Sequence, residues 1–166
     1  MLIVTCWCLI LCRQDLRDRR LPNGLTLGGA VVALTWRFGY GGVSMGADGV
    51  AAAFLAGAFL LLPFLLHGAG GGDVKMLFAA GAVTGCGALM HLLWFTSVAG
   101  LVYGGTMLIA GALDGARVRH CARCVFDLRY DRKSGAGRLP PRDSESGRIP
   151  FSIPIAIGLI MSLAWT

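Results

Sequence analysis

The sequence predicts an all-α integral membrane protein of about six transmembrane helices, with a cytoplasmic loop before the last. Three observations predict it. Of the 166 residues, 55% are hydrophobic and only 14% charged, with a mean hydropathy of +0.67, whereas soluble domains average about 25% charged. Apolar segments recur along the whole chain, separated by short polar stretches. The basic residues gather in every second polar stretch. No length is left over for a soluble domain, so residues 1–166 read as a single polytopic domain. The apolar start lacks a basic n-region and a small-residue cleavage site, so no cleavable signal peptide is expected.

The apolar segments run over 1–12, 24–36, 50–66, 76–89, 92–112 and 149–165. A full span takes about 20 residues at 1.5 Å of rise each, and several of these are shorter. The first is the shortest. Its helix is expected to run on through Leu16, which sets Asp15 in the last turn; a start a few residues further upstream is the other explanation. Pro22 stops a helix because it lacks an N–H and restricts the residue before it, and Asn23 can cap the next. Residues 76–112 are too many for one helix, and a break at Met90-His91 suits a tight hairpin. Gly24-x-x-x-Gly28 and Gly81-x-x-x-Gly85 are spaced for close helix packing. Residues 113–148, polar around Pro140-Pro141, read as a mobile cytoplasmic loop.

Fourteen of the 15 Lys and Arg residues fall in alternate loops, at Arg13 to Arg20, at Lys75 and from Arg117 to Arg148; Arg37 alone lies opposite. A positive-inside bias of this kind puts those loops in the cytoplasm and both termini outside it. It also accounts for the net charge of +6 without a nucleic-acid partner. The six cysteines do not read as a disulfide framework. Cys6, Cys8, Cys12 and Cys86 lie in apolar segments, where cysteine packs as a small hydrophobe.

Two carboxylates stand out among only nine acidic residues, because a charge at the edge of an apolar span is costly. Asp15 opens the run Asp15-Leu16-Arg17-Asp18-Arg19-Arg20-Leu21-Pro22-Asn23. Placed in a helix's last turn it opposes the macrodipole, which calls for a reason to keep it there. Asp73 closes Gly70-Gly71-Gly72-Asp73 just before Val74-Lys75. The glycines leave room for an approaching peptide backbone, and the following helix start stabilises a negative charge. Each motif also has a plainer reading: a juxtamembrane turn whose arginines reach lipid phosphates, and a helix-capping Asp beside a charge-bias Lys75. His120, Cys121 and Cys124 supply at most three zinc ligands, one short of a closed site. Two reduced thiols in a loop is the alternative. His67 and His91 read as interfacial residues.

Asp-x6-Pro-Asn after a first span, followed by Gly-x-Gly-Asp opening a later one, resembles the type IV prepilin peptidases, which are integral-membrane aspartyl proteases. The resemblance is closest to the small forms that serve tight-adherence (Flp-type) pili, and Arg148-Ile149-Pro150-Phe151 is similar to the family's C-terminal signature. The resemblance implies catalytic positions at Asp15 and Asp73, with Pro22, Asn23, Gly70, Gly72 and Lys75 completing the motifs or meeting substrate. It implies prepilin substrates, cleavage at the cytoplasmic face of the bacterial inner membrane, the lipid bilayer and pilus-assembly machinery as partners, and no metal or other cofactor. Larger members carry a cytoplasmic domain with paired Cys-x-x-Cys motifs and also methylate the product. This chain lacks that domain, so methyltransferase activity is not expected. Ser152 stands where small members more often have glycine.

Two other classes remain open. A small carrier could bind an ion or proton with the two carboxylates, although carriers place such groups near the bilayer midplane. A non-catalytic pilus-assembly subunit would keep the fold without the chemistry. For the orientation, a reporter active only in the cytoplasm is expected to work when inserted in the 113–148 loop and to fail at either terminus. The reverse pattern would overturn it.

Overall fold

In an apolar surrounding every backbone N–H and C=O must be satisfied within the chain, which leaves the helix as the local solution for long apolar runs. The computed structural model describes residues 1–18, 21–65, 70–109 and 151–165. They form four helices: α1 (Leu2–Asp18), α2 (Asn23–Leu65), α3 (Gly71–Ile109) and α4 (Ser152–Trp165). No strand occurs among the described residues. By length and composition α2 and α3 can cross a membrane, while α1 and α4 have 17 and 14 residues. As expected, α1 continues past Leu16, so Asp15 does lie in its last turn.

Both long helices are pairs of arms joined at one glycine. Gly42 has φ 69° and Gly85 φ 73°, a conformation that costs a side-chain-bearing residue steric strain and costs glycine little. At Gly42 the chain doubles back, so that a Cβ on Gly49 would lie 2.7 Å from Arg37 Nε and Arg37 Nε donates to the Met45 carbonyl at 3.1 Å. The turning points differ from those expected. Residues 37–49 are helical on both sides of Gly42 instead of forming a loop, and Met90-His91 lies inside the second arm of α3. Only a glycine accepts the positive φ that the turn requires, and His91 is occupied elsewhere, its ring 6.4 Å from that of Trp165.

One ion pair holds the two turns together. Arg37, only 9% exposed, places Nη2 at 2.6 Å from Asp48 Oδ2 and donates through Nη1 to the Val83 carbonyl at 3.3 Å. Asp48 Oδ2 also accepts the Cys86 N–H at 3.2 Å. The pair thus grips α3 on both sides of Gly85. This explains the one basic residue that broke the charge bias: Arg37 is a structural cation with its own carboxylate.

The arms pack through small residues. A Cβ on Gly81 would come within 2.5 Å of the Ala52 carbonyl oxygen and 2.7 Å of Ala56 Cβ, so the second arm of α2 lies tightly against the first arm of α3. Phe54 and Phe78 meet edge-on across the same contact, with ring centroids 5.3 Å apart. The second arm of α3 then runs antiparallel to α4, with Thr96 against Gly158 and Gly100 against Phe151. Trp7 fastens α1 to α2 by donating Nε1–H to the Leu25 carbonyl at 2.9 Å. Gly81 and Gly85 therefore serve close contact as expected. Gly24 and Gly28 do not, since neither faces a neighbour, and Gly29 takes that role under the Trp7 ring. Leu11, Met76, Leu77, Ile155 and Leu159 form a common core from α1, α3 and α4. Cys6, Cys8, Cys12 and Cys86 are free thiols.

The glycine turns give a stability prediction. Gly85→Ala should destabilise by about 2 kcal/mol, through the forced φ and the clash with the Arg37 guanidinium. Gly87→Ala, two residues on and facing open space, should be neutral or stabilise by up to about 1 kcal/mol. Thermal unfolding in detergent measures both, and equal midpoints for the two variants would contradict the turn assignment.

Candidate active site

The first motif is shaped by Pro22. Its carbonyl accepts the N–H groups of Leu25 at 3.1 Å and Thr26 at 3.2 Å, and also the Thr26 hydroxyl at 3.2 Å, so α2 begins immediately after it. Asn23 is the first residue of α2 and not the backbone cap expected of it. Its Oδ1 is taken by Lys75, whose Nζ donates at 2.8 Å. A proline carbonyl that already serves the first turn leaves the amide side chain free to reach another helix.

The second motif is organised by Asp73. Gly70 stands just before α3, and its N–H donates to Asp73 Oδ2 at 3.0 Å while the Asp73 N–H donates to the Gly70 carbonyl at 3.1 Å. This is the returning half of a capping box, in which a carboxylate three residues into the helix satisfies a donor at its start. The positive end of the helix dipole favours a negative charge there. Asp73 is 6% exposed.

Asp15 is 7% exposed and lies at the opposite, unfavourable end of its own helix. The compensation comes from α4, where the fully buried Ser152 donates its hydroxyl to Asp15 Oδ2. One turn before Asp15, the Cys12 thiol donates to the Ser152 carbonyl at 3.6 Å. By contrast the Arg17–Asp18 pair is at 4.0 Å with both side chains mostly exposed, and contributes little.

The two motifs meet. Leu21, in the link between α1 and α2, packs over Gly72 so closely that a Cβ there would lie 3.1 Å from Leu21 Cβ. Together with the Lys75–Asn23 bond, this joins the end of α1 and the start of α2 to the start of α3. The start of α4 joins through Ser152. Asp15, Pro22, Asn23, Gly70, Gly72, Asp73 and Lys75 thus all lie at one end of the helix assembly, opposite the Arg37–Asp48 turn. Two buried carboxylates, one held by a serine hydroxyl and one by a backbone N–H, are a donor set suited to proton transfer.

His67, His120, Cys121 and Cys124 lie outside the described residues. Among the described residues no three His, Cys, Asp or Glu side chains gather as a metal site. Leu21 and Ser152 are site residues that the sequence reading does not single out. The available signal for Ser152 is a hydroxyl where the motif more often has glycine, and Leu21 carries none.

The sequence model of the type IV leader peptidase family matches residues 2–105. No curated protein and no solved structure matches the chain. The matched stretch holds α1, α2 and most of α3, including both aspartates and the two segments that touch through Leu21 and Lys75. With nearly two thirds of its length matched, the chain belongs to the type IV leader peptidase family.

Proposed function

We propose that this chain is an aspartyl endopeptidase of the bacterial inner membrane that removes the short basic leader from Flp-type prepilins at the cytoplasmic face, with Asp15 and Asp73 activating water. The observation that carries the proposal is the meeting of the Leu21-Pro22-Asn23 turn with the 70–75 segment, with buried Asp73 in the second and buried Asp15 six residues before the first. Family membership supports leader-peptidase chemistry. The six helical arms, alternating in direction between the Asp15 end and the Arg37 end, support six passages through the bilayer. With the Asp15 end taken as cytoplasmic on the Lys and Arg bias, both termini fall outside the cytoplasm and residues 113–148 within it.

The chemistry divides between the two carboxyls. The reaction calls for one carboxyl ionised and the other protonated, the state that two carboxyls brought close together favour. The ionised member takes a proton from water as its oxygen attacks the scissile carbonyl carbon. The protonated member donates to the developing oxyanion. Collapse of the tetrahedral species breaks the C–N bond, and the departing amine takes up a proton from the pair. The leader leaves as a carboxylic acid, and the pilin gains a new N-terminus. Gly70 leaves the Asp73 carboxyl without a crowding side chain, so an extended peptide can reach it, while Gly72 accommodates Leu21. Lys75, tied to Asn23, sits where it can meet an acidic group on the substrate.

Co-expression with an Flp-type prepilin, read by gel shift and mass spectrometry of the pilin N-terminus, tests the proposal. Wild type should release the leader, and Asp15→Asn and Asp73→Asn should each slow cleavage by at least about a thousandfold while still inserting in the membrane. Cleavage that survives either substitution would remove that residue from catalysis. The capping role of Asp73 is separable: Asp73→Ala should lower stability by about 1 kcal/mol, and Asp73→Asn by less because the amide oxygen still accepts the Gly70 N–H. Thermal midpoints of the two variants measure the difference.

A further inference from the structure

We propose that Ser152 is a positioning residue for Asp15, its hydroxyl fixing the carboxyl in the orientation that the reaction needs; this rests on the aspartyl-peptidase reading above. Asp15 ends a helix whose own dipole opposes its charge, and it is nearly shut off from solvent. A carboxyl in that position needs a donor from elsewhere in the fold. Ser152 supplies it from the first residue of α4.

Ser152 is itself fully buried and doubly placed. Its hydroxyl goes to Asp15, and its carbonyl receives the Cys12 thiol from the same face of α1, one turn earlier. The next turn of α4 is locked into the core through Pro154, Ile155 and Ala156. Phe151, just before Ser152, packs on Gly100 of α3. The hydroxyl is therefore carried by a rigid element that also touches the helix bearing Asp73, and the orientation of one carboxyl is referred to the frame of the other. A glycine at this position would leave Asp15 without that donor. The family match ends at residue 105, so it says nothing of this contact.

Two measurements on the full chain in membranes or detergent decide it. In the first, Ser152→Ala and Ser152→Gly are assayed on the same prepilin as the wild type. Both should lower kcat about tenfold with KM within about twofold, the pattern of lost orientation as opposed to lost binding. Ser152→Thr, which keeps the hydroxyl, should retain most of the rate. An unchanged kcat in Ser152→Ala, a change confined to KM, or equal losses in the alanine and threonine variants would each overturn the proposal. The second does not depend on cleavage: thermal midpoints of Asp15→Ala, Ser152→Ala and the double variant form a cycle. Removal of the hydroxyl should lower the midpoint only when Asp15 is present. Additive losses would refute the contact even if the peptidase reading stands. Coupled losses in a wild type that cleaves no prepilin would instead count against that reading and leave the contact in place.

Discussion

The Arg37–Asp48 ion pair is the interaction on which the rest of the arrangement depends. A long apolar helix has no intrinsic reason to turn back, and the two glycine turns only permit it. What selects the folded-back form is a guanidinium that reaches Asp48, the Met45 carbonyl and the Val83 carbonyl at once, together with a carboxylate that also holds the Cys86 N–H. Removing Asp48 would strand the nearly buried Arg37 guanidinium without its counter-charge, which is more costly than never having had the pair. Because both reversals are fixed at this one place, the four arms leave it in a set register. That register brings Asn23 and Lys75 together at the opposite end.

At that opposite end the fold solves two different electrostatic problems. Asp73 is placed where a helix start welcomes negative charge, and the Gly70 N–H donates to one of its oxygens. Asp15 is placed where a helix end resists it, and a contact distant in sequence is needed. The orientation of Asp15 follows the docking of α4. Leu21 on Gly72 is the apolar contact between the two motifs, close enough that a Cβ at Gly72 would press on the leucine side chain.

Much of this was legible in the sequence. Asp15 and Asp73 stood out because charge at the edge of an apolar run is expensive, and the fold keeps both buried at a common end. The helical content and the continuation of α1 past Leu16 followed from apolar length alone. The turning points did not. Met90-His91 looked like a break because its polarity interrupts an apolar run, but polarity does not supply a positive φ, and the sequence offers 25 glycines with nothing local to distinguish Gly42 and Gly85 from the others. Asn23 was misread as a backbone cap because capping is judged from neighbouring residues, whereas Lys75 lies 52 positions away. Arg37 was an exception to the charge pattern for the same reason: its partner lies across a turn that the sequence does not announce. Ser152 needed the tertiary structure to acquire a role at all.

That partnership changes how the biogenesis of such a chain is to be viewed. In the proposed orientation Arg37 is the one cation delivered to the far side, against the electrical gradient that retains its fourteen fellows. Carried as one member of a contact ion pair on a preformed double helix, it moves no net charge, and the field exerts no net force on its passage. Insertion of α2 as a hairpin in a single event, with the guanidinium already neutralised, is then the economical route. Arg37 then stands apart from the Lys and Arg count that sets the orientation, as a cation kept for the turn it builds.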